Sequence, residues 1–393
     1  MKMNEHKDQT IWNRTFIILF TANMLSHSCI YMMNTLSSIY ADYLGATATV
    51  TGLVSGLFAL TALIFKLVSA PAIDTFNRKY VLTGAFLILF LSFVGYSMSQ
   101  NIPMLIISRL LTGTGMAFST TCCITMASDA LPKSRMQTGI GYFSLGTALC
   151  QAIAPSMGLF LSERLGYIIT FLILAGIMLL AIVIICNLKI EHTKTKKFEI
   201  SVQSMLAKEA AAPAAVLFFL CISYAVLNSF LVLYAGTSGI GSSIGGFFTI
   251  YAVTMLFTRP FIGKMADKYG TLKILIPSMI CFAAAFWLIS FSTTIWMFYV
   301  AAFISAFGFG GCQPSLIAVC MKSVPKERRG AASSTGYAAT DLSNLIGPLL
   351  AGWLIECVGY IAMWKIAIVP MVIAVIIAFM FKDKFGNLEK RGG

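Results

Sequence analysis

The 393-residue chain is 58% apolar and 11% charged, whereas a soluble domain is about 45–50% apolar and about 25% charged. That balance excludes an ordinary soluble globule, and the apolar residues are gathered into runs such as 83–98 and 168–186. A net charge of +13 would suggest nucleic acid in a soluble protein, but the positions of the charges give it another meaning.

A helix that crosses a bilayer needs roughly 20 mainly apolar residues. Twelve such spans are predicted, at about 15–40, 48–70, 80–98, 103–128, 138–161, 165–187, 212–235, 243–262, 273–290, 295–320, 331–354 and 360–381. Barrel strands would be only about 10 residues long and would alternate in polarity, so the expected fold is an all-α membrane protein. Of the 28 Lys and Arg, 23 lie in the two tails and the even-to-odd loops, and only Arg164 and Lys365 lie on the opposite side. This bias puts both termini and the central loop in the cytoplasm. The basic face then meets anionic lipid, with no need for nucleic acid. The first apolar run is too long for a cleavable leader and has no small-residue cleavage site. The sequon Asn13-Arg14-Thr15 falls on the cytoplasmic side and is expected to be silent. The 10 cysteines lie mostly inside spans without C-x-x-C spacing, as small buried hydrophobes do.

In chain order, span 1 comes first. Asn23, His27, Tyr31, Asn34, Ser38 and Asp42 share one face of it at helical spacing. Such a stripe is expected to line an aqueous cavity. His27 is either a hydrogen-bonded cavity residue or a proton site, since imidazole changes charge near neutral pH. After span 2 the chain reads KLVSAPAIDTFNRKY over 66–80, and RPFIGKMADKYGTLK recurs over 259–273, an offset of 193. The same offset pairs Pro132 with Pro325, Arg135 with Arg328, Pro155 with Pro348, Glu163 with Glu356 and Gly166-Tyr167 with Gly359-Tyr360. The chain is therefore one six-span unit written twice: a first half over 1–187, a polar linker over 188–211 able to form a short surface helix, and a second half over 212–393. Two pseudo-symmetric bundles of this kind place a transport site between them.

Span 4 carries Arg109, whose repeat mate is Ala302, so packing does not demand the charge. An arginine inside a span costs on the order of 3 kcal/mol and is a functional candidate, unless it sits near the outer end and snorkels. Span 5 contains Ser144, Thr147, Gln151 and Pro155. Span 7 adds Tyr224 and Asn228, and span 10 adds Gln313; these would supply orienting hydrogen bonds in an apolar pocket. In span 11, Asp341 lies 11 residues after Gly330, about 16 Å along a helix and near the midplane. Its repeat mate is Ala148, and Ser334, Tyr337 and Asn344 share its face. Intramembrane carboxylates of this kind serve as proton relays or substrate sites; the alternative is an ion pair with Arg109 or Lys66. No metal cluster, nucleophile elbow, P-loop or H-E-x-x-H is present, so an enzyme is not expected, no cofactor is implied, and transport must be driven by a gradient.

The two related loops resemble the signature G-x-x-x-D-[RK]-x-G-[RK]-[RK] of the major facilitator superfamily. The second copy supplies Arg259, Pro260, Gly263, Asp267, Lys268 and Gly270. The first supplies Asp74, Arg78 and Lys79, with Ala70 and Asn77 where glycines are usual. Arg109-Leu-Leu-Thr-Gly113-Thr-Gly115 is similar to the family's R-x-x-x-G-x-G pattern, whose Arg is linked to proton movement. Gly141, Cys150, Ala154, Pro155 and Gly158 resemble its antiporter signature, with Cys150, Ala154 and Leu159 in place of glycines; Gly347, Pro348 and Gly352 are the counterpart in span 11. The resemblance implies that Asp74 caps the start of span 11 near 330–333, that Asp267 caps the start of span 5 near 137–139, and that Arg78 pairs with Asp129. Thr271 and Lys322 stand at the repeat positions of that pair, so the second copy lacks it. It also implies a monomeric drug or metabolite:proton antiporter of a bacterial inner membrane, whose partners are a small-molecule substrate, protons and lipid. A proton symporter and a non-transporting sensor are the alternatives.

Overall fold

A computed structural model describes residues 10–132, 135–188, 206–310, 312–325 and 328–382. They form α1 (Arg14–Tyr43), α2 (Ala48–Thr75), α3 (Arg78–Met98), α4 (Ile102–Asp129), α5 (Met136–Cys186), α6 (Ala211–Thr237), α7 (Gly245–Tyr269), α8 (Thr271–Ser290), α9 (Ile295–Phe309), α10 (Cys312–Lys322), α11 (Arg329–Ile366) and α12 (Val369–Met380). Among the described residues, 10 helical segments are long and apolar enough to cross a membrane, one of them joining α9 to α10. The 51 residues of α5 suffice for two passes, and the end of α11 with α12 supplies one more, which restores twelve.

The places where α5 and α11 run on were expected to be loops. Each helix instead kinks at one glycine, Gly166 (φ 79°, ψ 166°) and Gly359 (φ 77°, ψ 171°). Only glycine adopts that backbone readily, so a single residue does the work of a loop. The two glycines are repeat mates. Helix starts keep the same register: 78 and 271 for α3 and α8, 102 and 295 for α4 and α9, 136 and 329 for α5 and α11. Span 10 is one 28-residue stretch, Ile295–Lys322, that joins α9 to α10; an added Cβ at Gly310 would meet the Ala306 carbonyl oxygen at 2.6 Å and Met255 at 2.7 Å.

Local chemistry sets several boundaries. Asn77 caps α3 by accepting from the Lys79 N–H at 3.0 Å, and Asn101 caps α4 by accepting from Met104 at 3.0 Å. Asn13 caps α1 by accepting from Phe16 N–H and donates to the Ala130 carbonyl at 2.6 Å, tying the entry of α1 to the end of α4. Most of the linker, 189–205, lies outside the described residues. Its end is a 3-10 turn, Lys208–Ala210, held on the start of α11 by the Ala207 N–H to Thr335 Oγ1 bond at 2.9 Å and the Arg328–Glu209 ion pair at 2.8 Å.

The chain divides into two compact units, Met1–Met33 with Leu60–Ile200, and Asn34–Ala59 with Ser201–Gly393. The first has a core that includes Phe86, Phe93, Tyr96 and Phe171; the second includes Phe230, Phe282, Phe286, Phe298 and Trp364. Outside these cores large apolar side chains stand exposed, Phe257 and Trp296 at 73% among them, as on a surface that lipid covers.

Candidate functional site

In the first unit the polar stripe of α1 is mostly packed. Asn23 is 2% exposed and donates from Nδ2 to Thr147 Oγ1 of α5 at 3.1 Å. His27 is buried, and its Nδ1 lies 3.0 Å from the Asn23 carbonyl oxygen. A carbonyl only accepts, so Nδ1 carries the hydrogen in neutral His27, and Nε2 is left as the acceptor. Tyr31 is half-buried with its ring 5.9 Å from that of His27. Asn34 is half-buried, Ser38 buried and Asp42 exposed at the end of the helix. Gln151 is half-buried on α5. Pro155 is buried, and the face of α5 around it lies against α1: a Cβ at Gly158 would sit 3.2 Å from Met32, and the Cys150 thiol donates to the Met24 carbonyl at 3.3 Å. That bond accounts physically for a cysteine at a position where glycine is usual.

Arg109 is fully buried, not snorkelling. It hydrogen-bonds the Tyr96 hydroxyl of α3. Tyr96 in turn is 2.7 Å from Thr112 Oγ1, and Thr112 is 3.2 Å from Ser92 Oγ. Tyr96, the partner that holds the guanidinium, carried no signal in the sequence beyond its place in an apolar span.

At the end of this unit Arg78 and Asp129 form an ion pair, with side chains 25% and 58% exposed. Arg78 Nε also donates to the Ile73 carbonyl at 3.2 Å, and Lys79 Nζ donates to the carbonyls of Cys186 and Leu188, each at 2.8 Å. A cation at a helix C-terminus is favoured by the free carbonyls and the helix dipole. The side chains of Asp74, Gly263 and Asp267 lie outside the described residues.

In the second unit Asp341 is 5% exposed on α11. Its neighbours on that helix differ: Tyr337 is half exposed, Asn344 half-buried, and Ser343 buried with its hydroxyl donating to the Phe218 carbonyl at 2.7 Å. Tyr224 stacks on Phe309 with centroids 3.9 Å apart and an interplanar angle of 6°. Asn228 Nδ2 donates to the Tyr224 carbonyl at 3.3 Å, and Gln313 is half-buried. The Tyr251 hydroxyl is buried with no hydrogen-bond partner among the described residues. Arg259 Nε donates to the Gly310 carbonyl at 3.0 Å. Pro348 is buried. Asp341, Tyr224, Asn228, Gln313 and Arg259 thus belong to one unit, and His27, Arg109 and Gln151 to the other.

The sequence matches the model of the Major Facilitator Superfamily over residues 19–247 and again over 214–392. The chain belongs to that superfamily. This major facilitator protein is a multi-pass membrane transporter for a small molecule and not an enzyme. It is 23% identical over 94% of its length to 96% of an uncharacterized MFS-type transporter of Methanocaldococcus jannaschii. It is 23% identical over 96% of its length to 96% of a multi-drug resistance efflux pump PmrA homologue of Lactococcus lactis. Among solved structures it resembles a bacterial homologue of the human lysosomal transporter Spinster in an inward-facing, unoccupied conformation. There the TM-score is 0.78 at 15% identity, covering 95% of this chain and 97% of that one, which speaks to the fold alone.

Proposed function

We propose that this transporter exports a small, partly apolar molecule in exchange for protons, by rocker-switch alternating access of its duplicated halves. Asp341 carries the proposal: it is a carboxylate 5% exposed, within a membrane-crossing helix of an otherwise apolar chain. Such a group is retained where it binds a proton or a cationic part of a substrate. Tyr224, Asn228, Gln313, Tyr337 and Asn344 would orient the cargo in the second unit, and His27, Tyr31, Asn34 and Gln151 would do so from α1 and α5. Arg109, held by Tyr96, would bias the proton step from within the first unit. Arg78, Asp129, Asp74, Arg259, Gly263 and Asp267 would serve the cytoplasmic latch, with Pro155 and Pro348 shaping the moving helices. Export is supported by the antiporter-like run around Pro155 and by relatives that bear the name of multi-drug efflux pumps. The charge asymmetry supports a membrane orientation with both termini in the cytoplasm, and the family resemblance an inner-membrane protein acting as a monomer.

The test is reconstitution in vesicles with an imposed pH gradient and a fluorescent, partly apolar dye such as ethidium. Gradient-driven accumulation that Asp341→Asn abolishes supports the proposal. Movement indifferent to the gradient, or full coupling in Asp341→Asn, overturns it. Uptake in the same direction as the protons would make the protein a symporter.

A further inference from the structure

The stretch 34–59 belongs to the first half by sequence and to the second unit by packing. Its contacts there are very close. A Cβ at Gly52 would lie 2.0 Å from the carbonyl oxygen of Pro348, one at Gly56 2.7 Å from that of Leu345, and one at Gly352 2.1 Å from that of Ala48. The first part of α2 and the middle of α11 therefore touch backbone to backbone, and in this arrangement only glycine fits at 52 and 352. Beneath the seam Ser55 and Ser229 are 2.6 Å apart, hydroxyl to hydroxyl.

The seam ends at the N-terminus of α2. Thr47 caps it locally, its Oγ1 accepting from the Val50 N–H at 3.4 Å. The Thr49 N–H is instead taken by Oε1 of Glu356 at 2.8 Å, from 307 residues away, and Thr47 hydrogen-bonds the same carboxylate. An anion at a helix N-terminus is stabilised by the free N–H groups and the helix dipole. The turn before α2 lies opposite the basic loops, which makes this the outer end of the helix.

We infer that Glu356 is the latch of the transporter's outer gate. Its carboxylate holds the start of α2, and that bond must break before the glycine seam can part and admit solvent from outside. The inference rests on the alternating access proposed above but not on its coupling ion.

The readout is the rate at which a membrane-impermeant maleimide, added from outside, labels Ser55→Cys. Ser55 is 4% exposed, so it labels when the seam parts. The exposed Cys186 and Cys357 are replaced by serine in the full-length background. Glu356→Gln keeps the size and removes the charge, and it should speed labelling about threefold, because the carboxylate is exposed and screened by solvent. Thr49→Pro removes the donor N–H from the other side at a first-turn position that tolerates proline, and it too should speed labelling, although Thr47 can still hold the carboxylate. Because both act on one contact, the effect of the double variant should fall short of the sum of the single ones. Gly52→Val, which cannot close the seam, sets the upper rate. Unchanged labelling in folded Glu356→Gln, or effects of Glu356→Gln and Thr49→Pro that add, would overturn the inference. A lowered melting temperature with unchanged labelling would also overturn it, by assigning Glu356 a structural role only. No substrate or gradient is involved, so this outcome is independent of the coupling test above.

Discussion

The corner between α2 and α3 and the corner between α7 and α8 occupy the same place in the two copies, yet they are held by different chemistry. In the first, Asn77 has ordinary backbone angles (φ −62°, ψ 114°) and caps α3 with its side chain. Arg78 then pairs with Asp129, and Lys79 binds the carbonyls that end α5. In the second, Gly270 has φ 95° and ψ 141° with no side chain to cap, and Thr271 and Lys322 replace the ion pair. One corner is fixed by side-chain bonds, the other by a backbone conformation. Duplication preserved the position of the turn and left each copy free to solve it separately. The charges in the membrane diverged in the same way: Asp341 faces Ala148 in the alignment of the copies, and Arg109 faces Ala302.

The largest expected break in this comparison comes from that asymmetry. Asp341→Asn should abolish gradient-driven accumulation of dye in vesicles, whereas Ala148→Ser at the mate should leave it intact. Gly166→Ala and Gly359→Ala should each destabilise by about 1–3 kcal/mol. Because both glycines share one conformation, the two losses should be equal, and the melting temperature of detergent-purified protein checks this. Gly270→Ala should cost about the same, while Asn77→Ala should cost about 1 kcal/mol through loss of a cap. If the two costs were equal, the two corners would not be held by different means. Arg78→Ala should be the mildest, within about 1 kcal/mol, because the pair with Asp129 is partly exposed and screened by solvent.

Much of the fold was legible beforehand, and the register of the copies shows why. A helix start depends on local capping and on where an apolar run begins, and both are preserved at a fixed offset. The kinks at Gly166 and Gly359 were not legible as kinks, because a glycine flanked by two apolar runs looks the same whether it sits in a loop or joins two helices directly. Of the candidate site, residue types were legible and partners were not. The sequence left Arg109 free to snorkel; its burial and its bond to Tyr96 depend on how α3 meets α4. Glu356 was visible only as one of a repeated pair, and its bond to Thr49 joins residues 307 positions apart.

Composition, span length, charge bias and the 193-residue repeat pointed by themselves to an all-helical membrane protein written twice, because a bilayer imposes length and polarity on every span that crosses it. The tertiary structure alone decided that 34–59 packs with the second half's helices and that Glu356 caps α2. Those facts turn on which glycine faces can bring two backbones into contact, a matter of shape in three dimensions that no local pattern encodes.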